Sequence, residues 1–193
     1  IDAPIAEGDR VAGVTARDGS GRVLELRAPL TVLATGANGA VLRAFDPRAR
    51  SEASGTALRV YARPRDGAAP AGRGSACVIA LDRTIQPGYA WAFPAPDGTF
   101  NVGVGLFRGG NLRAAGVNLR ASLAALLAGQ GPIGRRFGPF TAATPIAGAP
   151  VRTSLTGTPA ARPGLVIIGE AAGTTYAATG EGIGKAMESA LLL

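Results

Sequence analysis

The chain has 193 residues, 47% of them hydrophobic, with 29 Gly, 14 Pro, one Cys, no His and a formal net charge of +7. That length and apolar content support a folded core in one domain or two small ones, and exclude a disordered chain. Without His, and with Cys77 alone, Ser-His and Cys-His nucleophilic chemistry and a His/Cys metal centre are excluded, so any enzymatic chemistry must come from a cofactor.

The basic excess is scattered. Lys185 is the only lysine, Arg135-Arg136 is the largest cluster, and no basic run interleaves with aromatics, so nucleic acid is not an expected partner. No apolar run approaches the roughly 20 residues of a membrane span, and no signal peptide is visible at the start. Cys77, between Ala76 and Val78, is expected to be a buried core thiol in a reducing compartment.

From the amino end, Arg10–Thr15 and Val23–Arg27 have strand character and are joined by Asp18-Gly19-Ser20-Gly21, a hairpin signal. Leu30–Ala34 is a third strand. It runs into Thr35-Gly36-Ala37, where a residue without a side chain lets a ligand approach the backbone. Ala40–Phe45 is a short helix stopped by Asp46-Pro47. Thr56–Ala62 and Ser75–Leu81 are strands separated by the Pro/Gly-rich stretch Pro64–Gly74.

A hairpin follows, turned by Asp97-Gly98. Strand period places Tyr89, Trp91 and Phe93 on one face, with Ala90 and Ala92 opposite. On the return strand Phe100, Val102, Val104 and Leu106 share a face. Asn101, Gly103 and Gly105 share the other, which invites close approach of a ligand or another backbone. From the residues alone the aromatic stripe has two readings, core of an antiparallel sheet or lining of a cavity. Asn118–Ala128 is a helix with Leu119, Leu123, Leu126 and Leu127 on one face, ended by Gly129. Pro139–Pro163 is a long connection with room for one short strand.

Leu165–Ile168 is a short buried strand ended by Gly169. Glu170 then sits at a strand's carboxyl end, where ligands gather in open α/β sheets. Ala171, Ala172 and Gly173 are small enough for a flat ligand to lie against the backbone. Gly180-Glu181-Gly182 opens a helix carrying Ile183, Met187 and Leu191 at helical spacing. A helix N-terminus stabilises an anion, and a carboxylate accepts hydrogen bonds from hydroxyls. A flavin, with ribityl hydroxyls and a ring that is charged when reduced, suits this order. An ordinary strand–loop–helix with turn glycines also accounts for these residues.

Gly169-Glu170-Ala171-Ala172 resembles the second FAD-binding motif, usually G-D-A-A, of flavoproteins with the p-hydroxybenzoate-hydroxylase fold; Glu170 stands where Asp is usual. With Gly173 and Thr179-Gly180-Glu181-Gly182-Ile183 it is similar to the geranylgeranyl-reductase-like branch, although Tyr176-Ala177-Ala178-Thr179 lacks a Pro common there. Ala34-Thr35-Gly36 resembles the Ala-Thr-Gly motif of FAD-dependent oxidoreductases. Gly88-Tyr89-x-Trp91-x-Phe93-Pro94, followed by Asn101-Val102-Gly103-Val104-Gly105, is similar to the catalytic-domain hairpin of geranylgeranyl reductases.

The resemblance implies an α/β (α+β) fold: part of an FAD-binding Rossmann-like domain (residues 1–46 and 163–193) with an inserted antiparallel β-sheet substrate domain (residues 47–162). It implies FAD held by Thr35, Gly36, Ala37, Gly169, Glu170, Ala171, Gly173, Gly180, Glu181, Gly182 and Ile183, and a substrate cavity lined by Tyr89, Trp91 and Phe93. The implied reaction is reduction of a carbon–carbon double bond in an apolar, isoprenoid-like substrate, in the cytoplasm with peripheral membrane contact through that substrate. The electron donor stays open and no catalytic residue is assigned; Tyr89 and Tyr176 are the candidates for a general acid. The rival readings are an FAD-dependent monooxygenase or halogenase on the same fold, and a flavin-free interaction module. No G-x-G-x-x-G occurs in a strand–turn–helix setting, and Leu191-Leu192-Leu193 ends a helix without a C-cap signal. The chain is therefore expected to be a carboxyl-terminal fragment, inactive alone, with the fingerprint upstream of Ile1.

Overall fold

The computed structural model describes residues 1–46, 53–65, 76–107, 116–155 and 159–193. In chain order the elements are β1 (Ala3–Glu7), β2 (Arg10–Arg17), β3 (Val23–Arg27), β4 (Thr31–Leu33), α1 (Gly39–Phe45), β5 (Gly55–Pro64), β6 (Val78–Ala80), β7 (Gly88–Pro94), β8 (Phe100–Phe107), α2 (Leu119–Leu127), α3 (Gly131–Phe137), β9 (Phe140–Ala142), β10 (Ala147–Val151), β11 (Ala161–Arg162), β12 (Leu165–Ile167) and α4 (Ile183–Leu191). They form two compact units, Ile1–Ser54 with Val151–Leu193, and Gly55–Pro150. The chain thus re-enters its first unit at Val151, ahead of Pro163. Part of the Pro64–Gly74 stretch, together with Pro47 and Ser75, lies outside the described residues.

In the first unit β1, β2 and β3 form an antiparallel meander, with Val14 opposite Leu26. Asp18 fixes the β2–β3 turn, its Oδ1 accepting from the N–H and hydroxyl of Ser20 and from the N–H of Arg22. These bonds favour the ionised form and hold its carboxyl below the ordinary value. A second sheet has the order β11-β12-β4, in which β12 and β4 run parallel with Val166 opposite Val32. Asn38 caps α1 by accepting from the N–H groups of Ala40 and Val41. Val11, Leu33, Leu42, Phe45, Leu165, Ile167, Ala171 and Ala172 close over one another as this unit's core. Each large side chain among them contributes about 1.5–3 kcal/mol on burial.

The second unit is built on a sheet of order β10-β5-β8-β7-β6, with β9 also paired to β5. In the run β5, β8, β7, β6 each strand is antiparallel to its neighbour, in a register that puts Val60 opposite Val102 and Ala92 opposite both Val102 and Val78. One face carries Val60, Ala62, Ala90, Ala92, Phe100, Val102 and Val104, and Leu123, Leu126, Ile133 and Phe137 from α2 and α3 complete the core. Phe100, Phe137 and Phe140 meet with ring centroids 5.0–6.1 Å apart. Asn118 caps α2, and Gly129 follows it at φ +87.

Two expectations are corrected. Cys77 is exposed, because it precedes β6, where the alternation turns Ala80 inward and Ile79 outward. The connection from Pro139 holds three strands, β9, β10 and β11, rather than one. On α4, Ile183, Met187 and Leu191 are exposed, while Ala186 and Ser189 face the Gly169 turn.

Candidate functional site

The parallel strands β4 and β12 end side by side, with the N–H of Ile168 donating to the carbonyl of Leu33 at 3.1 Å. Both chains then turn. A cavity of about 380 Å³ opens at these carboxyl ends, lined by Ala34 and Gly36 after β4, by Ile168, Gly169 and Glu170 after β12, and by Gly180, Gly182 and Ile183 where α4 begins. Val151, Thr175 and Ala186 complete it. Among the described residues Glu170 is the one charged residue that lines it.

Two glycines make this geometry possible. Gly169, at φ +61, brings the chain against α4: a Cβ there would stand 3.0 Å from the Ala186 Cβ, and its N–H donates to Ser189 Oγ at 3.1 Å. Gly173, at φ +81, closes the turn over Gly169–Ala172, and a Cβ there would come within 2.3 Å of the Ser154 carbonyl oxygen.

Glu170 is half-buried, and its carboxylate is engaged within the unit. Oε1 accepts the backbone N–H of Arg152 at 2.6 Å, and Oε2 accepts the Thr175 hydroxyl. Burial pushes its carboxyl above the ordinary value, while Thr175 and Arg152 oppose that shift. A carboxylate offers about four acceptor positions, so both oxygens retain capacity for ligand hydroxyls. Sequence reasoning passed over Arg152 and Thr175. Arg152 is a single basic residue in a Gly/Pro/Thr-rich connection, and Thr175 is one of several threonines in a loop.

Of the residues expected to hold a cofactor, Gly36, Gly169, Glu170, Gly180, Gly182 and Ile183 line this cavity together. Thr35 and Ala37 flank Gly36 without lining it, and Ala171 and Gly173 are buried in the turn. Glu181 serves the helix, its Oε1 accepting the N–H of Gly184 at 2.6 Å. Gly182 is the N-cap of α4 and brings no side-chain cap.

Tyr89, Trp91 and Phe93 project from β7 on the face of the second unit's sheet away from its core. All three are half-buried. Tyr89 and Trp91 meet edge to face at 5.9 Å, Trp91 and Phe93 lie 6.4 Å apart, and Phe107 joins Tyr89 at 5.9 Å. Trp91 Nε1 donates to Asn101 Oδ1 at 3.0 Å. The space left by Gly103 is filled by the Trp91 ring itself, so the close approach expected of the glycine face is made by a side chain of this chain. Burial pushes the Tyr89 phenol above its ordinary value, whereas Tyr176 is exposed. Among the described residues no group of acidic, Cys or His side chains could hold a metal ion.

No family model and no curated protein sequence matches the chain. Solved structures do. A geranylgeranyl bacteriochlorophyll reductase-like protein from Thermoplasma acidophilum superposes with TM-score 0.73 at 23% identity, over 96% of this chain and 44% of that one. The myxobacterial chondrochloren halogenase CndH, a variant of FAD-dependent halogenases, superposes with TM-score 0.69 at 26% identity, over 98% and 44%. Klebsiella pneumoniae HpxO, in an R204Q form complexed with FAD, superposes with TM-score 0.51 at 19% identity, over 97% and 47%. The chain therefore has the mixed α/β fold of these flavoproteins and spans less than half the length of each.

Proposed function

We propose that this chain contributes to an FAD-dependent oxidoreductase and that FAD occupies the cavity at the ends of β4 and β12. The observation that carries this reading is the convergence there of one carboxylate, Glu170, with the start of α4, whose N-cap Gly182 has no side chain, and a lining otherwise of small or apolar residues and Thr175. The residues fit the group: Gly36 has open space where a Cβ would be, and both oxygens of Glu170 keep acceptor capacity. Glu170 would accept ribityl hydroxyls, and the first N–H groups of α4 would face negative charge.

The reaction we propose is reduction of a carbon–carbon double bond in an apolar, isoprenoid-like substrate. When bound, reduced FAD supplies the hydride. The proton for the other carbon has two candidate donors in this chain, the phenols of Tyr89 and Tyr176. Tyr89, Trp91 and Phe93 offer the apolar surface for the substrate. A second reading, halogenation, draws on the likeness to the chondrochloren halogenase.

The absorption spectrum of the full-length protein tests the cofactor. Incubation of the reduced protein with a polyprenyl substrate, followed by mass spectrometry, tests the reaction. A product gaining one hydrogen pair per double bond supports reduction. A halogenated product formed only when halide and oxygen are present would replace it, and a protein that takes up no flavin would remove both.

A further inference from the structure

Arg152 connects the two turns that form the cavity. Its backbone N–H donates to Glu170 Oε1 at 2.6 Å, in the turn after β12. Its guanidinium reaches the turn after β4, where Nη1 donates to the Ala37 carbonyl at 3.5 Å. Nη2 lies against Gly39, at 2.9 Å from where a Cβ would stand, so the guanidinium uses the room that glycine leaves. Arg152 is only 7% exposed, and its Nε has no partner among the described residues. A buried cation is costly unless another charge answers it. Glu170 is the acid that feels the charge of Arg152, while Arg43 Nη1 shares the space beside Gly39 with its guanidinium.

We propose, building on the cofactor reading above, that Arg152 is a positioning residue, tying Glu170 to the turn after β4 and so setting where that carboxylate meets the cofactor's hydroxyls. The side chain spans a distance that suits a long stem with a planar fork, since one guanidinium addresses Ala37 and Gly39 at once. It also acts through space, lowering the cost of keeping Glu170 ionised in a half-buried site.

Few other charges bear on Glu170. The turn after β4 carries none, and α1 carries Arg43. On α4, Lys185 and Glu188 pair with each other on the exposed side at 2.7 Å, and Glu181 before it is bonded to the N–H of Gly184.

The test follows Glu170 by side-chain carboxyl 13C NMR over a pH titration of the full-length protein, with FAD affinity measured by fluorescence quenching in parallel. The variants are Arg152→Lys, which keeps the charge, and Arg152→Met, which removes it at similar length. In Arg152→Met the Glu170 midpoint should move up and FAD affinity should fall by roughly tenfold or more. In Arg152→Lys the midpoint should stay near the parent's, with a smaller loss of affinity. Should Arg152→Met fail to fold, Arg152→Gln serves in its place with the same expected direction. A thermal midpoint that drops while the Glu170 titration and FAD affinity stay unchanged would overturn the proposal. Failure of the parent protein to take up FAD would count against the cofactor reading, and the Glu170 titration would then decide on Arg152 by itself.

Discussion

The indole of Trp91 occupies the space that a side chain at Gly103 would need. The two residues are direct cross-strand partners on β7 and β8, and a Cβ at position 103 would stand 2.2 Å from Trp91 Cζ2 and 2.6 Å from the Leu58 carbonyl oxygen. The ring can swing away, but the neighbouring backbone cannot. Gly103→Ala should therefore cost about 1–3 kcal/mol, as overpacking typically does. It should also lift the indole off β8 and break its bond to Asn101. Trp91 is the only tryptophan, so its emission reports directly. A red-shifted spectrum with a lowered denaturant midpoint is the expected result. An unshifted spectrum would show that the ring does not lie over Gly103.

Trp91 itself should be less costly to remove than a core aromatic. Its ring stands on the half-exposed face of the sheet, whereas Phe100 is 2% exposed and packed between Phe137 and Phe140. Phe100→Ala should cost about 3–5 kcal/mol, and Trp91→Ala distinctly less. If the aromatic face receives an apolar substrate, Trp91→Ala should also weaken its binding about tenfold, or about 1.4 kcal/mol. Chemical denaturation of both variants and a binding titration of one decide this. A Trp91→Ala loss equal to that of Phe100→Ala would place Trp91 in the core.

The hairpin of β7 and β8 was legible because alternation carried through both strands, from Tyr89–Phe93 to Phe100–Leu106. β12 was legible as an apolar run between Gly164 and Gly169. Helix α3 was not. Gly131-Pro132-Ile133-Gly134 has poor helix propensity, and the helix forms because Pro132 suits a first turn and Ile133 and Phe137 enter the core. β1, with Pro4 inside it, and the two-residue β11 take their order from the strands that follow them, β2 and β12, and β9 from β5, far along the chain. At the cavity the motif residues were legible as small residues around one acid. Arg152 was not, because its role depends on a fold that brings it to both Glu170 and Ala37.

Gly173 gives a direct test of the turn that presents Glu170. Its φ of +81 disfavours any residue with a Cβ, and the Ser154 carbonyl oxygen, 2.3 Å from that Cβ position, leaves no room for one. The left-handed conformation alone costs about 1–2 kcal/mol. With the clash added, Gly173→Ala should destabilise the first unit by about 2 kcal/mol or more. Hydrogen exchange should localise the loss to residues around Leu165–Thr175. Parent-like protection there would contradict the tight turn.

Glu170 should make stability fall as pH rises. Its carboxyl is raised above the ordinary value, first by burial, against the opposing pull of Thr175 and Arg152. The folded state therefore holds a proton that the unfolded chain has already released. With more protons bound when folded than when unfolded, the slope of unfolding free energy against pH is negative. The contribution is fully present below the unfolded-state value and is lost as pH rises through the raised, folded-state value. Other acids give pH dependences of the opposite sign: Asp18, Asp82 and Asp97 are all lowered by hydrogen bonds. The contribution of Glu170 is therefore read as a difference. Glu170→Gln keeps the size and one acceptor oxygen, puts an NH2 in place of the other, and cannot ionise. Denaturant unfolding of parent and variant across the mildly acid range should show the variant gaining on the parent as pH rises, with the gap levelling off once Glu170 is ionised in the folded state. A gap that stays constant with pH would show that Glu170 titrates alike folded and unfolded, and that its burial beside Thr175 and Arg152 does not raise it.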